Sequence, residues 1–404
     1  MRRKAVELEN IKIYRQNLAA EHGADILAAE HAGEVLRFHQ TIPEYSSTPL
    51  QALPELAVRL QVARICVKDE SFRFGLKAFK GLGGSYSVAR YIADELHIPP
   101  ELLSFDRLTQ PDAKELLSRT TFVTATDGNH GRGVAWAARL FGAKSVVYLP
   151  KGSSIERLEA IRSYGAQASI TDLDYDDTVR YARDQAKRFG WVLMQDTSWQ
   201  GYTKIPTYIM QGYLTMALEA VNQWQGEPPT HVFLQAGVGA MAGAVAGFLR
   251  AYYKERKPMI CVVEPQTANC MYQTAVASDG RLHRASGNLD TLMAGLACGE
   301  PCHIGWEILR ETAEYFAVIP DAAAVEGMRR LAHPVGTDPA IVSGESGAAT
   351  MGFLCGAARR DHLRDLLCMT CESRILLFST EGDTSPELYQ QLLNTLDNNS
   401  QYSV

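Results

Sequence analysis

The 404-residue chain contains no uninterrupted apolar run longer than the 14 residues 236–249, AGVGAMAGAVAGFL. That run is too short and too rich in glycine for a membrane-spanning helix, which takes about 20 apolar residues. The N-terminal stretch MRRKAVELENIKIYRQ carries charge throughout and lacks the apolar core of a secretory signal. A cytoplasmic protein is therefore expected, with its eight cysteines reduced. Basic side chains are outnumbered, 40 against 46 acidic ones, for a net charge of −6. No cationic excess exists to neutralise phosphates, which argues against nucleic acid as a partner. Repeats and low-complexity linkers are also missing, which favours closely packed lobes over separate beads. Disorder is excluded by an apolar fraction of 46%, ordinary for a chain with a sizeable core. Cysteine spacing offers one check. Cys368 and Cys371 form a C-x-x-C, and Cys298 and Cys302 a looser pair. Four thiolates would suit zinc if the pairs met. They lie in unrelated contexts, so buried free thiols are the expectation and no metal site is predicted.

What the chain does have is alternation. β-branched, apolar runs predict strands at 63–70, 119–126, 144–150, 166–171, 191–196, 231–237, 259–265 and 373–380. Between them, helical spacing predicts helices at 128–142, 153–165, 175–190, 240–255 and 385–396, with a long amphipathic one over 204–225. Residues 266–300 read as loop with short elements. Strands alternating with helices imply an α/β, doubly wound architecture with mostly parallel sheets.

Three polar, glycine-containing segments follow directly on strands: DGNHG after residue 126, GVGAMAG after 236 and EGDT after 380. Ligands of open parallel sheets bind at the carboxyl ends of the strands, so these are candidate walls of a pocket. GVGAMAG, Gly237 to Gly243, would present backbone N–H groups to a phosphate. It also fits the dinucleotide fingerprint G-x-G-x-x-A, with Glu264 about 27 residues on, so a nicotinamide-dependent oxidoreductase stays open at this point. RFGLKAFKGLGG places Lys77 and Lys80 before a glycine cluster. A lysine in a closed pocket can form a Schiff base, although most lysines are solvated surface residues. In DGNHG, Asp127 would also serve as a helix N-cap, and Asn129 and His130 as turn residues.

Taken together, AFKGLGG, TDGNHG, GVGAMAG, AGLACGEP and FSTEGDT resemble, in this order, the fold-type-II pyridoxal phosphate enzymes, which include the serine and threonine dehydratases. VKDESFRFGLKAFKGLGG, QDTSWQGYTKIPTYIMQGY and SGESGA are similar to the diaminopropionate ammonia-lyase family in particular, over about residues 36–385. The resemblance implies two doubly wound lobes: a large cofactor-binding one from 1–98 and 197–404, and a smaller, mobile one from 99–196. It implies pyridoxal 5'-phosphate bound through Lys80, with Lys77 a neighbour. Asn129 would contact the cofactor's 3′ oxygen. Gly237, Val238, Gly239, Ala240 and Met241 would hold its phosphate. Thr380 would meet the pyridine nitrogen, Ser379 being the nearby alternative. Where the dehydratases carry serine, this chain has Asp127, and Asp196 in QDT is a second carboxylate. The implied substrate, 2,3-diaminopropionate, carries an extra ammonium that carboxylates complement. Lys80, Asp127 and Asp196 are the expected catalytic residues, and Asp127, His130 and Asp196 the substrate contacts. The implied reaction is α,β-elimination to pyruvate and two ammonia. A dehydratase reaction is the alternative, and a homodimer the implied assembly.

Overall fold

The computed structural model describes residues 10–19, 29–126 and 128–394. Its eleven strands are β1 Lys12–Arg15, β2 Leu50–Ala52, β3 Arg64–Asp69, β4 Thr121–Ala125, β5 Lys144–Leu149, β6 Gln167–Ile170, β7 Val192–Leu193, β8 His231–Gln235, β9 Met259–Pro265, β10 Tyr315–Ile319 and β11 Arg374–Ser379. They form two sheets, ordered β1-β10-β9-β8-β11-β3-β2 and β6-β5-β4-β7. The second sheet is parallel throughout. In the first, the five inner strands are parallel, and only the edges β1 and β2 run antiparallel. The inner strands are apolar on both faces because helices cover both. Side chains alternate accordingly: Val232 and Leu234 belong to one core and Phe233 to the other. The first of these cores continues through the helices into Val123, Ala125 and Val146 of the four-stranded sheet.

Eight of these strands coincide with the expected ones. Of the three others, two have weak local signals: β2 has only three residues, and β1, KIYR, is polar and half-exposed. β10, YFAVI, is fully buried but stands alone between helices. The strand expected at 191–196 shrinks to Val192–Leu193. Beyond it, Gln195 switches to side-chain pairing and accepts from Ala125 N at 3.0 Å and Thr124 Oγ1 at 3.1 Å. The helix expected over 204–225 is two, Lys204–Gly212 and Leu214–Gln223. Glycine matters at one crossing. A Cβ on Gly84 would sit 2.7 Å from the carbonyl oxygen of Gly133, and one on Gly133 would sit 2.8 Å from that of Lys80. The helices Lys80–Glu95 and Asn129–Phe141 thus touch backbone to backbone, which brings their first turns together.

Candidate active site

Lys80 opens its helix after an irregular segment with positive φ at Phe74 and Lys77. Two contacts hold that segment. Phe79 N donates to Thr380 O at 3.1 Å, and Gly382 N donates to Lys77 O at 2.9 Å, which ties it to the end of β11. Behind it, Arg73 is fully buried and donates to Glu70 Oε2 at 2.8 Å and to Glu219 Oε2 at 2.7 Å. Lys68 Nζ reaches the same Glu219 oxygen at 2.7 Å. Buried charges persist only when paired this way. Burial opposes ionisation of Glu219, but Arg73 and Lys68 prevail and hold its pKa down to about 2. Lys77 is 46% exposed and pairs with Asp383 at 2.8 Å, so it is a neighbour of the site and no part of it.

The carboxyl ends of β8 and β11 and the first turn after β4 converge on one cavity. It is lined by Lys80, Asn129, Asp196, Gly237 to Ala242, Thr380 and Glu381. Lys80 Nζ donates to Asp196 Oδ2. Asp196 is almost fully buried, and its other oxygen accepts from Gln195 Nε2 at 3.2 Å. Burial raises its pKa, but the positive charge that His130 and Lys80 can carry outweighs this and keeps it below the ordinary carboxylate range. His130 Nε2 lies 2.7 Å from Met194 O and so carries the ring proton. Its Nδ1 lies 3.6 Å from Asp196 Oδ2. Burial drives the imidazole pKa down, so we assign it as neutral, and the charge beside Asp196 rests on Lys80. His130 thus stands behind Asp196, at 1% exposure, and does not line the cavity. The side chain expected to contact substrate lies against Asp196. Asp127 lies outside the described residues.

The site fits the cofactor that the motifs imply. Gly239 has φ +88°, and a Cβ there would fall 2.1 Å from Met271 Cε. A Cβ on Gly237 would meet Cys298 Sγ at 3.0 Å. Side chains thus pack the loop from behind, and Cys270 Sγ donates to Gly237 O at 3.5 Å. The helix Ala240–Tyr253 starts here with no side-chain cap, leaving its first N–H groups for an anion. Gln235 Nε2 donates to Phe378 O at 2.9 Å and to Thr380 Oγ1 at 2.9 Å. The carbonyl can only accept, so the amide orientation is settled and the Thr380 hydroxyl proton is left to donate into the cavity. Ser379 instead donates to Ser343 Oγ at 2.8 Å and is absent from the cavity wall, which leaves Thr380 the hydroxyl in place.

The dinucleotide reading fails on Glu264. Both its oxygens accept backbone N–H groups, from Met271 at 2.9 Å and Tyr272 at 2.7 Å, so it starts the helix Cys270–Ala277 and faces no ribose. Burial pushes its pKa up to about 8. Among the described residues no three metal-ligating side chains converge. Cys368 and Cys371 are exposed, whereas Cys298 and Cys302 are buried and none is disulfide-bonded. Gln235 and Glu381 also line the cavity, and no motif singles them out: EGDT follows a strand, but no periodicity tells which of its side chains turns inward.

Comparison with known proteins agrees with this geometry. The family model described as pyridoxal-phosphate dependent enzyme matches residues 42–371. Diaminopropionate ammonia-lyase of Salmonella typhimurium is 52% identical over 367 residues, 89% of this chain and 91% of that protein. The holo structure of diaminopropionate ammonia lyase from Escherichia coli superposes with a TM-score of 0.90 at 45% identity, covering 96% of this chain and 97% of that one. The same enzyme in complex with an aminoacrylate-PLP azomethine reaction intermediate gives 0.89 at 45% identity, with the same coverage.

Proposed function

We infer that this chain, which belongs to the pyridoxal-phosphate-dependent enzymes and within them to the diaminopropionate ammonia-lyases, eliminates ammonia from 2,3-diaminopropionate. The products are pyruvate and two ammonia per turnover. The fold is the fold-type-II arrangement, and pyridoxal 5'-phosphate is the cofactor. The observation that carries the reading is the Lys80 amine paired with Asp196 beside a glycine loop whose N–H groups no side chain caps.

When bound, the cofactor would be joined to Lys80 through its aldehyde and would take up the electron pair left at the substrate's α-carbon. The residues divide the remaining work. Gly237 to Met241 offer backbone N–H groups to the phosphate. Thr380 would offer its hydroxyl proton to the ring nitrogen, a neutral partner that would leave this nitrogen unprotonated. Asn129 would donate to the 3′ oxygen. The Lys80 amine would be the base for the α-proton of the L isomer. Asp127 is the base proposed for the D isomer. Asp196 holds the Lys80 amine and is the receptor for the substrate's β-ammonium, a charge-assisted pairing in a buried site. Elimination then discharges that nitrogen as ammonia, and hydrolysis of the released enamine gives the second ammonia and pyruvate.

The lobe 99–196 is proposed to move against the rest on binding, because Asn129 and Asp196 come from the four-stranded side and Thr380 from the other. No helix among the described residues is long and apolar enough to cross a membrane. A cytoplasmic homodimer is the proposed state. The free thiols fit a reducing compartment, and sedimentation of the purified protein tests the dimer. The activity is tested by stoichiometry. Two ammonia per pyruvate from 2,3-diaminopropionate are expected. Turnover of serine alone, with one ammonia per pyruvate, would make the protein a dehydratase.

A further inference from the structure

Glu381 has no part in the reaction as set out above. It follows Thr380 at the end of β11, is 4% exposed, and lines the cavity with Lys80 and Asp196. Each of its oxygens takes one N–H group. Oε1 accepts from the backbone of Ser346 at 3.0 Å, and Oε2 accepts from Asn129 Nδ2. On the far side of the same amide, Asn129 Oδ1 accepts from Arg132 Nη2 at 3.0 Å. A guanidinium only donates, and an ionised carboxylate only accepts. The Asn129 amide therefore has one orientation open to it, oxygen toward Arg132 and nitrogen toward Glu381. One amide hydrogen is used by Glu381, and the other is left for the cavity.

Burying a carboxylate in a catalytic cavity is costly unless it is hydrogen-bonded. Here both of its bonds end on groups that set the position of Asn129 and the loop 343–348. Arg132 acts on Glu381 through the Asn129 amide, and the chain of bonds runs Arg132, Asn129, Glu381, Ser346. It crosses from a helix of the four-stranded side to the end of the seven-stranded sheet.

We propose that Glu381 is a positioning residue: with Arg132, it holds Asn129 as a hydrogen-bond donor toward the ring oxygen of the cofactor, and so sets the proton affinity of the Lys80-bound cofactor. This rests on the reading of the cavity as a pyridoxal phosphate site. A ring oxygen denied its donor grips the proton it shares with the Lys80 nitrogen more tightly. The pH at which the visible band changes then moves upward.

The test is a pH titration of the visible absorption of the holoenzyme, in wild type and in the variants Glu381→Gln, Asn129→Ala and the two combined. Gln offers one acceptor to the two N–H groups that face Glu381, so one of them meets a donor. Glu381→Gln is expected to raise the midpoint by about one pH unit, the size of a lost charge-assisted bond. Asn129→Ala should do the same, and the double variant should shift no further. A Glu381→Gln titration that overlays the wild type, or shifts that add in the double variant, overturns the proposal. A structural defect alone lowers the loaded fraction without moving the midpoint. Should Glu381→Gln not fold, Arg132→Gln frees the amide from its other side and must shift the midpoint in the same direction. A visible band that survives Lys80→Ala would instead sink the assignment of the cavity itself.

Discussion

Lys80 Nζ donates to Asp196 Oδ2, so an amine from the seven-stranded side is held by a carboxylate that follows β7 of the other sheet. The helix crossing at Gly84 and Gly133 brings the helices Lys80–Glu95 and Asn129–Phe141 into backbone contact beside this pair. Several measurable consequences follow from this pairing and from the loop facing it.

Lys80→Ala should abolish both elimination activity and the visible absorption of the loaded protein. Asp196→Asn should keep the absorption but lose about 10²-fold or more in kcat, with a raised KM for the diamino substrate. Steady-state kinetics on diaminopropionate and on serine separate the roles. Were Asp196 only a turn residue after β7, kcat would change by less than about threefold.

Thr380 presents a hydroxyl proton because Gln235 occupies its oxygen. Thr380→Asp should protonate the ring nitrogen, stabilise negative charge at the α-carbon and increase transamination by-products. Product analysis by mass spectrometry reads this directly, and an unchanged product spectrum would count against the neutral-partner account.

Gly239→Ala places a Cβ at φ +88° and against Met271. A cost of about 1–3 kcal/mol in stability is expected, together with weaker cofactor retention. Urea denaturation with and without added pyridoxal phosphate measures both. The added cofactor should recover part of the loss by mass action.

His39 lies buried beneath the first turns of the Lys80 helix, with Nε2 3.2 Å from Leu82 O and Nδ1 2.6 Å from Thr215 Oγ1. Burial, assisted by the Arg73 charge, lowers its pKa from 6.5 to about 3. The folded state therefore favours the neutral ring. This stability is complete above pH 6.5 and is lost as pH falls toward 3. Glu219, held at about 2, acts in the same direction below pH 4.5. Between pH 7 and 5 the His39 share is about 2 kcal/mol, from 1.36 kcal/mol per unit. Urea midpoints of wild type and His39→Gln at the two pH values should differ by that amount in their acid loss.

Local pattern alone determined much of this protein. Eight strands between 63 and 380 announce themselves through β-branched, apolar runs, because strands covered by helices on both faces are mostly apolar, while β10 at Tyr315–Ile319 was passed over. The glycine loop at 237–243 and the Lys80 segment were legible for the same kind of reason, since residue chemistry there is dictated by a tight turn and a reactive amine. Only the tertiary structure decided which polar groups meet. Whether His130 faces the cavity or the back of Asp196 depends on the bond from its ring to Met194, a contact 64 residues away in sequence. That Thr380 and not Ser379 points inward depends on Gln235 and Ser343. Glu381 gained its role from Asn129, 252 residues distant. Hydrogen bonds of this reach leave no periodicity in the chain, because they are formed by the packing of two sheets whose helices cross where glycine lets their backbones touch.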